Sequence, residues 1–86
     1  MTLHLAAHTV ATDTDDGAVL LSLRNGHYWQ LNLTGAYALQ RLLAGCPMDQ
    51  VAEEFAAQYD IALAQARDDI TAMTEQLQAS GLVETD

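Results

Sequence analysis

Eighty-six residues are enough for one compact domain but not two, and a chain this short buries only about two-thirds of its unfolded surface, so its core is modest. Twelve acidic residues against three basic ones, all arginine, give a formal charge of -9 that repels nucleic-acid phosphates and anionic lipid headgroups. No stretch reaches the roughly 18 uninterrupted apolar residues of a membrane span. Met1-Thr2-Leu3-His4 lacks the basic start of a secretory signal, and Cys46, the lone cysteine, excludes an internal disulfide, so a reducing cytoplasm is the expected setting.

The first segment, residues 3 to 11, carries Leu3, Leu5 and Val10 among small and polar residues, a period-2 pattern that predicts a first strand. Asp13-Thr14-Asp15-Asp16-Gly17 follows as a loop, because aspartates bond the local backbone and Gly17 supplies a positive φ. Ala18–Arg24 and His27–Asn32 are rich in strand formers, and Asn25-Gly26 between them is the pair that a two-residue type I′ hairpin uses. That turn sets Arg24 opposite His27, Leu23 opposite Tyr28, Ser22 opposite Trp29, Leu21 opposite Gln30 and Leu20 opposite Leu31. Trp29 and Leu31 then share one face, Tyr28 and Gln30 the other.

Asn32, with Thr34 as competitor, is the candidate N-cap of a first helix over residues 34 to 44, carried by Leu39, Leu42 and Leu43 and stopped by Gly45. Pro47 and Asp49 open a second helix whose stripe is Met48, Val51, Ala52, Phe55 and Tyr59. Leu63, Ala66, Ile70, Met73 and Leu77 step by three and four through a third helix, about 62 to 80, which Gly81 ends. Leu82-Val83-Glu84 is too short to assign as a strand from pattern alone.

Catalytic and metal-binding motifs are missing from the sequence. His4 and His8 have no third ligand nearby, and a metal site needs three or four. From Asp13, glycine falls at the fifth place of a calcium loop instead of the sixth, and Arg24 stands at the twelfth, where a glutamate belongs. Cys46 has no oxyanion loop or orienting carboxylate beside it and reads as a small residue at an interhelix turn rather than a nucleophile. Strands followed by three helices also suit a winged helix-turn-helix, but the acidic residues Asp68, Asp69 and Glu75 beside Arg67, and Asp49, Glu53, Glu54 and Asp60 on the second helix, argue against DNA as its ligand.

The string VLLSLRNGHYWQLNLTG, the apolar helix to Gly45, Val51-Ala52-Glu53-Glu54-Phe55 and the closing Ile70, Leu77, Ser80-Gly81-Leu82-Val83 together resemble the PqqD-like family over roughly residues 10 to 84. Within it the Tyr-Trp-x-Leu-Asn segment is most similar to the stand-alone recognition proteins of lasso-peptide pathways. The resemblance implies an α+β, winged helix-turn-helix-like fold, a three-stranded antiparallel sheet followed by three helices. It further implies a non-catalytic domain without cofactor or metal that binds the leader peptide of a ribosomally made precursor and presents it to a leader peptidase and a cyclase. The same module serving a pyrroloquinoline-quinone precursor is the nearest alternative.

In such proteins the leader adds as an antiparallel strand to the third strand and lies against the third helix. Transferred to this chain, the edge strand is His27, Tyr28, Trp29, Gln30 and Leu31, and the facing helix offers Arg67, Ile70, Met73, Thr74 and Leu77. Tyr28, Trp29 and Met73 suit ligand contact best, since aromatic rings give rigid contact area and methionine adapts to irregular side chains. Leu31, Ile70 and Leu77 equally suit an ordinary core between sheet and helix.

Overall fold

Pairing of two consecutive hairpins organises the protein, seen in a computed structural model that describes residues 2–85. Strands β1 (Leu3–Leu5), β2 (Thr9–Thr14), β3 (Gly17–Ser22) and β4 (Tyr28–Asn32) precede helices α1 (Leu33–Leu43), α2 (Met48–Tyr59) and α3 (Leu63–Ala79), and β5 (Val83–Thr85) follows. Among the described residues β2-β3-β4 form a three-stranded antiparallel sheet, while β1 and β5 form a separate two-stranded one. The fold is therefore α+β, with α1 packed on one face of the larger sheet and α2 and α3 joining it in a shared core.

The run 3 to 11, expected as one strand, is cut in two. Ala7 and His8 form a turn in which His8 takes φ 67°, and the Thr9 N–H donates to the Ala6 carbonyl at 3.1 Å. Leu3–Leu5 leave the main sheet and pair antiparallel with the C-terminal tail, Leu3 facing Thr85 and Leu5 facing Val83. Sequence pattern cannot assign that tail because its partner lies at the far end of the chain. The segment expected as a loop at 13 to 17 is also mostly strand: β2 runs to Thr14, the turn shrinks to Asp15-Asp16, and Gly17 opens β3.

The β3–β4 hairpin differs from the expected two-residue turn. Ser22 N–H donates to the His27 carbonyl at 2.8 Å and Gly26 N–H to the Ser22 carbonyl at 2.9 Å, so Leu23 to Gly26 form a four-residue loop. The physical reason is the Asn25 side chain, whose Oδ1 accepts the His27 N–H at 2.9 Å and so removes the need for a tighter backbone turn. Leu20 thus faces Trp29 and Leu21 faces Tyr28, each pair displaced by two residues from the expected register. A slip of two keeps every side chain on its face. Ala18, Leu20 and Leu31 are buried as the alternation requires, and Leu21 and Tyr28 are exposed.

The helices start and stop close to where the sequence sets them. Asn32 caps α1 by accepting the Gly35 N–H at 2.8 Å, and Gly45 and Gly81 follow α1 and α3 at φ 97° and 75°. Ala38, Leu39 and Leu42 from α1, Val51 and Ala52 from α2, and Ala66, Ile70 and Leu77 from α3 meet Leu20 and Leu31 in one core, which Leu82 and Val83 close. Arg41 reaches across to α2, its guanidinium donating to both Glu54 carboxylate oxygens at 3.1 and 3.0 Å, and this hydrogen bonding raises its already high pKa.

Gly17 is fixed by close approach. It sits at φ 149°, and a Cβ there would land on the Leu31 carbonyl oxygen and lie 2.7 Å from the Asn32 carbonyl carbon. Gly17→Ala is expected to lower stability by about 2 kcal/mol or more, read from chemical denaturation, with the loss appearing as a lower midpoint at unchanged slope.

Candidate functional site

In the sheet order β2-β3-β4, the strand β4 is paired on one side only. Because the His27 carbonyl bonds back to Ser22, the alternation of an antiparallel ladder turns the backbone of Trp29 and Leu31 toward β3 and leaves the N–H and C=O of Tyr28 and Gln30 directed outward. An edge of this kind can take a further strand.

Beside that edge lies a cleft of about 400 Å³. One wall is Trp29, Gln30 and Leu31 of β4, the end is Asn32, Thr34, Gly35 and Ala38, and the far wall is Asp69, Ile70, Ala72, Met73 and Gln76 of α3, with Phe55 contributed by α2. The strand-to-helix junction holds the end of the cleft in place, since Asn32 Oδ1 accepts from both the Gly35 N–H and the Thr34 hydroxyl, each at 2.8 Å. A Cβ at Gly35 would press on the capping Asn32 Oδ1 at 3.3 Å and sit in ordinary contact with Leu31 and Met73.

The residues expected from sequence divide into those that meet in the cleft and those that do not. Trp29, Gln30, Leu31, Ile70 and Met73 line it together. His27 and Tyr28 lie beyond it, in a shallower depression shared with Gly26, Trp29 and Ser80. Arg67 faces away, paired with Asp49 at 3.0 Å near the start of α2. Thr74 is buried on the neighbouring core stripe of α3, its hydroxyl donating to the Thr71 carbonyl at 2.9 Å, and Leu77 is fully enclosed in the core.

The sequence reading mixed two neighbouring stripes of α3. Ala66, Ile70, Thr74 and Leu77 are the core stripe, whereas Asp69, Ala72, Met73 and Gln76 form the adjacent cleft stripe at the same three- and four-residue steps. Counting outward from Met73 would have identified Asp69 and Gln76. Phe55, read as part of the apolar stripe of α2, and Asn32, Thr34, Gly35 and Ala38 at the end of the cleft were also missed as lining residues. Cys46 is half-buried at the turn between α1 and α2 and packs against the core, outside this cleft.

The family model described as coenzyme PQQ synthesis protein D (PqqD) matches residues 17–83. Among solved structures, the chain is similar to a lasso peptide synthetase B1 complexed with the leader peptide, at 35% identity and a TM-score of 0.92, covering 99% of this chain and 100% of that one. It has the same fold as TbiB1 in complex with the TbiA(beta) leader peptide, at 23% identity and a TM-score of 0.85, covering 96% of each chain. Comparison with curated proteins gives no match.

The two α3 stripes should respond differently to substitution. Leu77→Ala, in the core, is expected to cost about 2–5 kcal/mol in denaturant unfolding. Met73→Glu, on the half-exposed cleft wall, should leave the folded spectrum intact and cost less than about 1 kcal/mol.

Proposed function

Because the chain belongs to the PqqD family, we propose that it is a non-catalytic recognition domain that captures the leader segment of a ribosomally made precursor peptide, of the lasso type, and presents it to a leader peptidase and a cyclase. The observation that carries the reading is the open edge of β4 running along a cleft of mixed polar and apolar lining whose other wall is α3. The likeness to a lasso peptide synthetase B1 that holds a leader peptide supports it across the length of the chain. The PqqD description itself favours a second cargo, a pyrroloquinoline-quinone precursor peptide, which the same edge and cleft would serve.

The mechanism is strand addition. A leader in extended form lies antiparallel to β4 and exchanges main-chain hydrogen bonds with Tyr28 and Gln30, each contributing about 0.5–1.5 kcal/mol net. Every second leader side chain then points into the cleft, between Trp29 and Leu31 on one side and Ile70 and Met73 on the other. Main-chain bonding is indifferent to sequence, so selection falls to these side-chain contacts, with Met73 adapting its shape and Gly35 lining the end. Thr74 and Leu77 support the wall from within the core, while Arg67 ties α3 to the start of α2 through Asp49.

All 86 residues act as one binding domain in this proposal, with a winged helix-turn-helix-like order of sheet and helices turned from nucleic acid to peptide. The charge of -9 supports that change of ligand, and it complements basic positions on a leader or on partner enzymes. No helix among the described residues is long and apolar enough to cross a membrane, in keeping with the cytoplasmic setting proposed for the pathway.

Fluorescence-polarisation titration with leader peptides encoded beside the gene tests the proposal. A leader should bind saturably, proline placed at alternate positions of its central segment should abolish binding, and Met73→Glu should weaken it at least about tenfold, a loss of about 1.4 kcal/mol. Binding that tolerates proline throughout would rule out strand addition.

A further inference from the structure

The ends of the main sheet carry opposite charge. At one end Thr14, Gly17 and Asn32 lie in register, with Asp13 near the end of β2 and Asp15 and Asp16 in the β2–β3 turn. At the other end Thr9, Ser22 and His27 come together, and the adjoining turns hold His8 and Arg24 with no carboxylate among their residues. Arg24 is the one arginine without an ion-pair partner among the described residues, since Arg41 is held by Glu54 and Arg67 by Asp49, each at 3.0 Å.

The groove beside β4 follows the same gradient. Its deep part, toward Asn32, includes the Asp69 carboxylate. Trp29 also lines a second depression of about 410 Å³, formed with Gly26, His27, Tyr28 and Ser80, and Arg24 precedes Gly26 by two residues in the same hairpin loop, outside that lining. Helix α3 runs opposite to β4 along this path, because Met73 stands near Gly35 and Ser80 stands near Tyr28. A strand added antiparallel to β4 therefore enters at the Asp69 end and leaves at the Arg24 end.

We propose that the groove reads the order of charge along its peptide: a basic residue on the N-terminal side of the strand-forming segment, beside Asp69, and an acidic residue on its C-terminal side, beside Arg24 and His27. This rests on the reading of the cleft as a site for an extended peptide and adds a direction to it. Main-chain pairing alone gives weak discrimination between peptides of the same apolar pattern and opposite charge order. Placing a carboxylate against Asp69 and an ammonium against Arg24 penalises the reversed order at both ends. Exposed pairs are modest and screened, so the two contacts together favour the matched order about fivefold at low ionic strength.

A display library of random 20-residue peptides, selected in parallel on the native chain and on the Arg24→Glu, Asp69→Lys double variant, tests the inference. Both positions are exposed, and circular dichroism checks that the variant keeps its fold. Peptides enriched on the native chain should carry lysine or arginine before the apolar alternation and aspartate or glutamate after it, and the variant should enrich the reverse. Exchanging the charges of an enriched peptide should weaken it about fivefold in polarisation titrations at low salt, with the difference fading above roughly 0.5 M salt. Enrichment with no charge order, or with the opposite order on the native chain, overturns the inference while leaving the peptide cleft intact. If nothing enriches, or if Met73→Glu leaves enriched peptides bound as tightly as before, the cleft itself is not the peptide site and both readings fall.

Discussion

Everything that makes the site available follows from how β4 is held. Its inward backbone groups are satisfied by β3, a pairing that depends on Gly17 allowing two strands to approach where any side chain would collide with the Leu31 carbonyl. Its end is pinned by the Asn32 cap, which turns the chain directly into α1 without a loop. A strand fixed on one side and at one end keeps its outer edge straight and its backbone donors and acceptors at a constant spacing. That order is set before any ligand arrives, so binding costs little reorganisation of the protein.

The cleft and the core are built from the same helix. Ile70 belongs to both, buried in the core and forming part of the cleft wall, while Leu77 lies entirely inside and Met73 faces the groove. One step around α3 separates a residue whose loss empties the core from one whose change alters the ligand surface. Substitutions at Met73, Ala72, Gln76 and Asp69 can therefore change the cleft lining without reaching the residues that hold sheet and helices together. On the other face of the sheet, Tyr28 remains 69% exposed, so its ring takes no part in the protein's own packing.

The three helices and their caps were legible in the sequence because their signals are local: apolar residues at helical spacing, Asn32 at the start, and Gly45 and Gly81 at the ends. The hairpin was legible in its faces but not in its register, since Asn25 bonds the His27 N–H with its side chain and lengthens the loop, a choice the Asn-Gly pair does not reveal. β1 was read as the start of one strand over residues 3 to 11 and β5 was left unassigned, because each pairs only with the other. For the site, the strand wall came from the family resemblance, and alternation added only that Trp29 and Leu31 share a face. The helix wall was blurred, since the core and cleft stripes of α3 lie one residue apart and both satisfy the same period.

The pairing of β1 with β5 places Leu3 directly across from Thr85, a neighbouring-strand separation of about 5 Å, and neither strand lines the cleft. Strands β1 and β5 thus lie side by side away from the cleft. Geometrically the domain is a bead with its two threads at one pole: it can be spliced into a larger polypeptide, capped at either end or circularly closed without covering the mouth of its binding groove.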